Sequence, residues 1–233
     1  TGVQFNTRGP GNSGGYNYPP PTGGYSALTN NIIRRNLFSN IYRGNGTGIG
    51  IFSEGTNDPY INGLYIYNNT IVAKPGNEPW WGIDFSSQDN GNCSNIHIRN
   101  NIFTGFAGAW IVGTAGAGNT NINGMTLTHN NGFGNGNNNT PSWPGGNPAN
   151  YVYNNNLAVN PLFVGSGYYT LQAASPCIDA GVNIGLPYNG TAPDMGYAEY
   201  ASASNIPPTA NAGPDQTITL PTNSVTLSGS GTD

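Results

Sequence analysis

The sequence predicts an all-β solenoid, in which short parallel strands coil around one axis and each coil covers the apolar face of the next. A short phrase returns along the chain: an aliphatic residue, two spacers, an asparagine and an apolar pair. Its asparagines lie 33, 32, 29 and 25 residues apart, and a period of roughly 20–50 residues is typical of solenoids. Apolar residues alternate with period two and are interrupted by Gly or Asn, which excludes amphipathic helices.

The recurring phrase places one asparagine in the same turn of each coil. It occupies residues 33–38, 66–71, 98–103, 127–130 and 152–155, with its asparagines at Asn36, Asn69, Asn101, Asn130 and Asn155. Stacked at the ~4.8 Å spacing of paired strands, such asparagines can bond to each other and to the turn backbone. Further short strands are predicted at 48–52, 82–85 and 109–112. Because side chains alternate between the two faces of a strand, one aliphatic residue of each coil should point inward and form a file along the axis: Ile33, Ile66, Ile98 and Leu127.

The composition favours a folded extracellular protein. Only 7% of the 233 residues are charged, yet there are 14 tyrosines, 8 phenylalanines and 4 tryptophans, enough to build a core. Surface polarity must come from Asn, Ser, Thr and Gly, as in many extracellular β proteins. We therefore expect a secreted or cell-surface location.

Charge and cysteine content exclude some classes of partner. A net charge of −4 with six basic residues argues against nucleic-acid binding, which needs clustered Lys and Arg. No apolar run approaches the ~18–20 residues of a membrane span. Cys93 and Cys177 allow one disulfide, but both lie in strand-like phrases that suit a small buried hydrophobe. Two free, buried thiols are the expected state.

The repeats resemble those of a known group of proteins. The phrases Asn-Asn-Thr-Ile-Val at 68–72 and Asn-Asn-Ile-Phe at 100–103 are similar to repeats of right-handed parallel β-helix proteins, the broad group with pectate-lyase-like and alginate-lyase-like folds. The resemblance covers about residues 25–160. It implies a right-handed parallel β-helix, with its coils at 1–160, and a polysaccharide as the partner.

Two further resemblances concern the C-terminal part. Segments 160–164, 169–172, 175–181 and 194–200 resemble the C-terminal closure of secreted bacterial β-helix proteins. The resemblance implies a cap at 161–202, because the open end of a solenoid exposes apolar surface and strand edges. We expect Asp179 and Asp194 to accept hydrogen bonds from turn amides there.

A linker at 203–209 is predicted after the cap. The runs 210–220 and 224–230 resemble the first two strands of a PKD-type immunoglobulin-like domain, which implies an incomplete domain at 210–233. Two strands do not make a sandwich. We therefore expect the chain to belong to a larger protein with further domains upstream and downstream.

One face of the predicted solenoid carries long polar and aromatic side chains. Two outward files are expected beside the inward file: Arg34, Tyr67, Arg99, Thr128 and Tyr153, and then Ile32, Tyr65, His97, Thr126 and Tyr151. Tyrosine stacks on the C–H face of a sugar, and Arg pairs bidentately with a uronate or a sulfate. The same side chains can instead simply shield the sheet.

Several residues are candidates for a glycan site. In a polysaccharide lyase, Arg34 or Arg99 would neutralise the uronate, and His97 or Tyr67 would remove the proton at C5. The catalytic candidates are His97, Arg99 and Tyr67, and the substrate-binding candidates are Arg34, Tyr65, Trp80, Trp81 and Asp84. The adjacent Trp80 and Trp81 either wrap a sugar or pin their loop to the solenoid wall.

Other chemistry has weaker support. A glycoside hydrolase needs two carboxylates that face each other. Of the acidic residues in the coils, only Asp84 lies in a predicted strand, on an outward position; the others are Glu54, Asp58, Glu78 and Asp89. No acidic or cysteine cluster joins His97 and His129 at ligand spacing. No cofactor is expected, with calcium among Asp58, Asp84 and Asp89 as the alternative.

The sequence thus predicts an extracellular, polysaccharide-directed β-helix module that binds a glycan, with depolymerisation of that glycan left open. If it is an enzyme, a lyase is favoured over a hydrolase. The alternative is a non-catalytic structural or adhesive rod, or a filament subunit.

Overall fold

The fold is all-β. The computed structural model describes residues 3–8, 28–41, 47–54, 61–85, 93–113, 122–165, 167–201 and 209–232. The chain divides into two compact units, Thr1–Tyr200 and Ala201–Asp233. Within the described residues, helical structure is limited to a short 3-10 turn at Asn137–Asn139.

The first unit consists of short strands. In chain order they are β1 Val3–Arg8, β2 Leu28–Arg34, β3 Leu37–Ile41, β4 Ile49–Glu54, β5 Ile61–Tyr67, β6 Thr70–Ala73, β7 Ile83–Asp84, β8 Cys93–Arg99, β9 Ile102–Thr104, β10 Ile111–Val112, β11 Ile122–Thr128, β12 Asn131–Phe133 and β13 Val152–Asn154. They form three parallel sheets, which the chain visits in turn. Sheet 1 has the order β13-β11-β8-β5-β2, sheet 2 the order β12-β9-β6-β3, and sheet 3 the order β1-β4-β7-β10. This confirms the predicted parallel β-helix.

The core runs along the inside of the three sheets. The register pairs Ile33 with Ile66, Ile66 with Ile98, and Ile98 with Leu127, and all four side chains are buried, as the alternation predicts. Sheet 3 adds an inward file of Ile49, Ile83 and Ile111, and sheet 2 adds Ile71 and Phe103. Each coil thereby gains its hydrophobic contacts from the coils on either side.

A sharp turn joins sheet 1 to sheet 2 in every coil. Its first residue has a left-handed backbone, with φ between 49° and 58° at Arg35, Asn68, Asn100, His129 and Asn155. Asparagine tolerates this conformation better than most residues because its short amide bonds locally. The turn geometry therefore explains why asparagine precedes the ladder residue at Asn68, Asn100 and Asn155, whereas Arg35 and His129 hold this position in the other two coils.

The next residue in each turn forms an asparagine ladder. The side-chain amides of Asn36, Asn69, Asn101 and Asn130 each donate to Oδ1 of the ladder residue one coil further on, at 2.9–3.0 Å. The same oxygens accept the backbone amides of these residues at 2.9–3.1 Å. The predicted stacking of asparagines is confirmed for these four positions.

The last coil differs from the prediction by one residue. The fifth ladder residue is Asn156, and Asn155 instead takes the left-handed position before it. Thr126 accordingly pairs with Val152, and Leu127 pairs with Tyr153. Tyr153 thus continues the inward file, and the prediction of Tyr151 and Tyr153 as outward residues is wrong. The tract Asn154–Asn155–Asn156 offers three equivalent residues, so the spacing alone does not choose among them.

Residues 161–200 brace the side of the coils. Asn68 Nδ2 donates to the Asp194 carbonyl at 2.9 Å, and Asn100 Nδ2 donates to the Val182 carbonyl at 2.8 Å. The Gly196 amide donates back to the Asn100 carbonyl at 2.7 Å. A second apolar cluster forms from Ile102, Leu171, Cys177 and Met195. The segment therefore covers the outer face of sheet 2 next to the turns.

The two aspartates of this segment organise its turns. Asp194 accepts the backbone amides of Asp179 and Tyr200. Asp179 accepts the amides of Thr191 and Ala192 at 2.8 and 3.0 Å. The expectation that both carboxylates bond turn amides is confirmed. The predicted domain boundaries stay predictions.

Both cysteines are free and buried, as expected. Burial raises the pKa of Cys93 and of Cys177 to about 12. These thiols are therefore packing groups, because the thiolate needed for nucleophilic chemistry is absent near neutral pH.

The second unit contains a pair of short antiparallel strands, β14 Thr209–Asn211 and β15 Ser230–Thr232. Most of the predicted linker lies outside the described residues. The resemblance to a PKD-type domain stays a prediction.

Candidate functional site

The outer face of sheet 1 gathers five of the predicted site residues. One file runs from Ile32 through Tyr65 and His97 to Thr126, and the other runs from Arg34 through Tyr67 and Arg99 to Thr128. We call the following residues the tyrosine–arginine patch: Arg34, Tyr65, Tyr67, His97 and Arg99. The parallel register brings them together, since equivalent residues of neighbouring coils lie one strand spacing apart.

The aromatic rings of the patch stack along the solenoid axis. The rings of Tyr65 and His97 lie 5.3 Å apart with an interplanar angle of 1°. Tyr67 lies 5.9 Å from Tyr65 at 52°. Because Tyr65 and His97 cover each other's faces, the stack presents ring edges and polar atoms outward. A ligand on this face therefore meets hydrogen-bonding groups more than flat aromatic surface.

Arg99 lies at the β8 edge of the patch, on the same strand as His97 and paired with Tyr67 of β5. Its Nη2 is 3.4 Å from His97 Nδ1. A guanidinium only donates hydrogen bonds, so Nδ1 is the acceptor and the ring proton of neutral His97 lies on Nε2. Arg99 Nε is buried and finds no hydrogen-bond partner among the residues that the structure describes. Arg99 as a whole is partly exposed, so an anionic group on this face would meet the Nη end of the guanidinium and not the buried Nε.

His129 is a further member of this region that the sequence did not assign to the patch. It occupies the left-handed turn position of its coil, and its Nδ1 is buried without a hydrogen-bond partner in the described part of the chain. Its pKa is lowered, first by burial and then by the charge of Arg99. The period offered a signal, because His129 stands where neighbouring coils have Asn68 and Asn100.

The environment also sets the protonation of the patch. Burial, and then the Arg99 charge, lowers the pKa of His97, so this imidazole is neutral at pH 7. Burial raises the pKa of Tyr67 despite the opposing effect of Arg99, so its hydroxyl remains protonated. At neutral pH the patch consequently offers two guanidinium cations, Arg34 and Arg99, and several O–H and N–H donors.

The other three predicted site residues lie elsewhere. Asp84 belongs to sheet 3, where it pairs with Gly50 and Val112, and its side chain is buried. Trp80 and Trp81 lie in the loop before Asp84, with ring centroids 5.8 Å apart. The structure does not assemble these residues with the tyrosine–arginine patch, because sheets 1 and 3 form different walls of the coil.

The two tryptophans differ in environment. Trp81 is partly buried and packs so closely on Gly108 that a Cβ there would lie 2.5 Å from its ring. Trp80 is 49% exposed. Trp81 therefore pins the loop to the wall, and Trp80 is the ring of this pair that remains accessible to a ligand.

Acidic and metal-binding chemistry finds little support in the described residues. Glu78 accepts the Gly76 amide within its own loop. Asp58 and Asp89 lie outside the described residues, as does the side chain of Glu54. Within the described ranges, no group of three or more His, Cys, Asp or Glu side chains is placed to hold a metal ion. The calcium alternative stays a prediction, since two of its three aspartates, Asp58 and Asp89, lie outside the described residues.

Comparison with known proteins adds no relative. No protein-family model matches the chain, and no curated protein or solved structure shows significant similarity to it. Within the part of the chain that the structure describes, no helix has the length and hydropathy of a membrane span. The identification reached here is therefore that of a fold, a parallel β-helix.

Proposed function

We propose that this chain is an extracellular, polysaccharide-directed β-helix module that binds acidic glycans through the tyrosine–arginine patch. The observation that carries the proposal is the grouping of the Arg99 guanidinium with His97, whose Nδ1 lies 3.4 Å from Nη2, and with Tyr67, its partner on the neighbouring strand. A uronate or sulfate oxygen is the acceptor that completes such a donor set.

Binding fits the patch better than cleavage does. A lyase needs a base with a free lone pair, yet the Nδ1 lone pair of His97 faces Arg99. The raised pKa of Tyr67 keeps its hydroxyl protonated near neutral pH. Both groups thus act as hydrogen-bond donors to a bound sugar, and Arg99 neutralises its charge. A lyase remains the favoured reaction if a glycan is cleaved, because a hydrolase needs two facing carboxylates.

A structural rod is the competing function, and the asparagine ladder favours it. Four successive amide-to-amide bonds tie the coils together, which stiffens a solenoid along its axis. In that case the long side chains on sheet 1 only shield the sheet.

The proposal is tested by titrating the protein with polygalacturonate and with alginate in a calorimeter. We expect the double variant Arg99→Ala/Tyr67→Ala to bind at least about tenfold more weakly than the wild type, because it loses the charge-assisted contacts. Lys74→Ala is the matched control, since it removes one exposed positive charge outside the patch. The ultraviolet absorbance of unsaturated products measures cleavage in the same samples.

Equal binding by the wild type and the double variant would refute the role of the patch. If the wild type binds neither polymer, and neither polymer changes its thermal unfolding, the structural rod is favoured.

A further inference from the structure

We infer that the last coil carries a second site, a cleft that binds a neutral sugar residue by stacking it on tyrosine. The cleft has a volume of about 370 Å³ and is lined by Thr140, Pro141, Trp143, Asn147, Tyr151 and Tyr153. This volume lies at the small end of the roughly 300–1,000 Å³ typical of ligand sites. The inference does not depend on the tyrosine–arginine patch.

The cleft exists because inward positions of the last coil are occupied by aromatic residues. Tyr153 pairs with Leu127, 26 residues earlier in the chain. The bridge between Asn123 and Ala149 has the same separation, so Tyr151 lies beside Met125. On sheet 3, the bridge between Val112 and Ser142 likewise makes Trp143 an inward residue. On sheet 1, the core positions of Met125 and Leu127 are thus followed by aromatic ones.

Contacts among the three aromatic residues hold the walls in place. The indole of Trp143 meets the Tyr151 ring edge-on, with centroids 5.6 Å apart and an angle of 75°. Trp143 Nε1 also donates to the Tyr151 hydroxyl at 3.2 Å. Both side chains pack against the main core. Their orientation is therefore fixed before any ligand arrives, which lowers the entropy cost of binding.

Tyr153 forms the accessible wall. It is 42% exposed, and its ring stacks near Tyr151 at 6.0 Å and 25°. A half-exposed ring backed by a partly buried one offers the flat apolar surface on which the C–H groups of a pyranose pack. The patch on sheet 1 carries two guanidinium groups, whereas the cleft has no charged lining residue, so the two sites suit different ligands.

Polar atoms in the cleft complete the match to a sugar. Burial raises the pKa of Tyr151 to about 12, so its hydroxyl keeps its proton. That proton and the Asn147 amide have no hydrogen-bond partner among the described residues. None of the six lining residues is charged. Hydroxyl groups of a neutral sugar fit these donors and acceptors, whereas a uronate would be left without a counter-charge.

The test follows the Trp143 indole N–H signal in a nitrogen-15 NMR spectrum, assigned by its loss in Trp143→Phe. The probes are neutral hexasaccharides of glucose, xylose, mannose and galactose. We expect one of them to shift this signal in a saturable way. Tyr153→Ala should weaken that binding about tenfold. Tyr168→Ala is the matched control, since Tyr168 is also exposed, at 76%, and does not line the cleft.

Two further variants separate the possible causes of a failure. Asn147→Ala removes an exposed amide outside the core. It should weaken sugar binding while leaving the backbone signals of the other coils unchanged in the NMR spectrum. Arg99→Ala/Tyr67→Ala should keep the neutral-sugar shift, so failure of the patch leaves this inference standing. An indole signal that none of the sugars moves would overturn it. A signal that instead moves with protein concentration alone would also overturn it, by showing that a second copy fills the cleft.

Discussion

Sheets 1 and 2 share the same turns, yet their outer faces differ. All four residues of β6 on sheet 2 are buried, whereas three of the seven residues of β5 on sheet 1 are only half-buried, namely Asn62, Tyr65 and Tyr67. On sheet 2 the outward file includes Thr70 and Ile102, which lie under residues 161–200. On sheet 1 it carries tyrosine, histidine and arginine, which remain at the surface.

The length of the outward side chains explains this difference. Gly196 approaches sheet 2 so closely that a Cβ would lie 2.8 Å from Thr70 Oγ1 and 3.0 Å from Ile102 Cδ1. Such an approach requires short or compact side chains on the sheet. The outer face of sheet 1 instead bears Tyr65, Tyr67 and Arg99, which occupy the space a covering segment would need. Sheet 1 is therefore the face available to a ligand, and sheet 2 is a structural face.

The largest effect is expected where both sheets meet, at the asparagine ladder. Asn101 is fully buried; its Oδ1 accepts two bonds from Asn69, and its Nδ2 donates to Asn130 and to the carbonyls of Ile66 and Arg99. Asn101→Ala should lower the free energy of unfolding by about 3–5 kcal/mol, because several buried partners are left unsatisfied. Urea denaturation measures this change.

The control variant for the ladder is Asn123→Ala. Asn123 is exposed, and among the described residues its side chain is hydrogen-bonded only to Asn150. It should cost about 0.5 kcal/mol or less. Equal losses in the two variants would show that the ladder adds nothing beyond ordinary surface polarity.

The next effect concerns the covered face alone. Gly196→Ala combines a φ of +101° with the contacts to Thr70 and Ile102, and should cost about 2–4 kcal/mol. Gly185→Ala has a similar backbone, with φ at +80°, but meets no atom within 4 Å, so only about 1–2 kcal/mol of backbone strain remains. The difference in unfolding free energy between the two variants measures the close approach.

Proteolysis adds a second readout. Faster cleavage within 161–200 in Gly196→Ala than in Gly185→Ala would locate the change on sheet 2. Identical stability and cleavage in both variants would contradict the explanation of the covered face.

The fold was predictable because its signals are periodic. Ile33, Ile66 and Ile98 repeat at nearly constant spacing, and parallel stacking turns that spacing into register. The last coil was misplaced by one residue because three consecutive asparagines hide the ladder position. The bracing by residues 161–200 has no periodic signal, since contacts such as Val182 with Asn100 join residues 82 apart.

The site was predictable only in part, for a related reason. Tyr65, Tyr67, His97 and Arg99 follow one strand register, so their proximity could be read from the repeat. Trp80 and Asp84 follow a different sheet, and sequence distance alone does not say which wall a loop joins. The Trp143 cleft was missed because its register depends on the single bridge between Val112 and Ser142.

The smallest effect concerns the outer face of sheet 1 and depends on pH. Burial and Arg99 hold the pKa of His97 below its ordinary value of 6.5, so the unfolded chain binds more protons than the folded one just below that pH. The stabilisation by neutral His97 is thus complete above pH 6.5 and is lost as the pH falls. Between pH 7 and 5.5, Tm of the wild type should decrease about 1–2 °C more than that of His97→Gln.

His129 supplies the matched comparison for this prediction. Its pKa is lowered by the same two causes, and His129→Asn restores the residue that neighbouring coils have at Asn68 and Asn100, with the left-handed backbone kept. We expect the double variant His97→Gln/His129→Asn to have the flattest Tm profile over this range. A wild-type Tm that rises relative to the double variant as the pH falls would mean that the folded protein stabilises the imidazolium forms. The patch and the neighbouring His129 would then present four cations to an acidic glycan at low pH, namely Arg34, Arg99 and the two imidazolium groups.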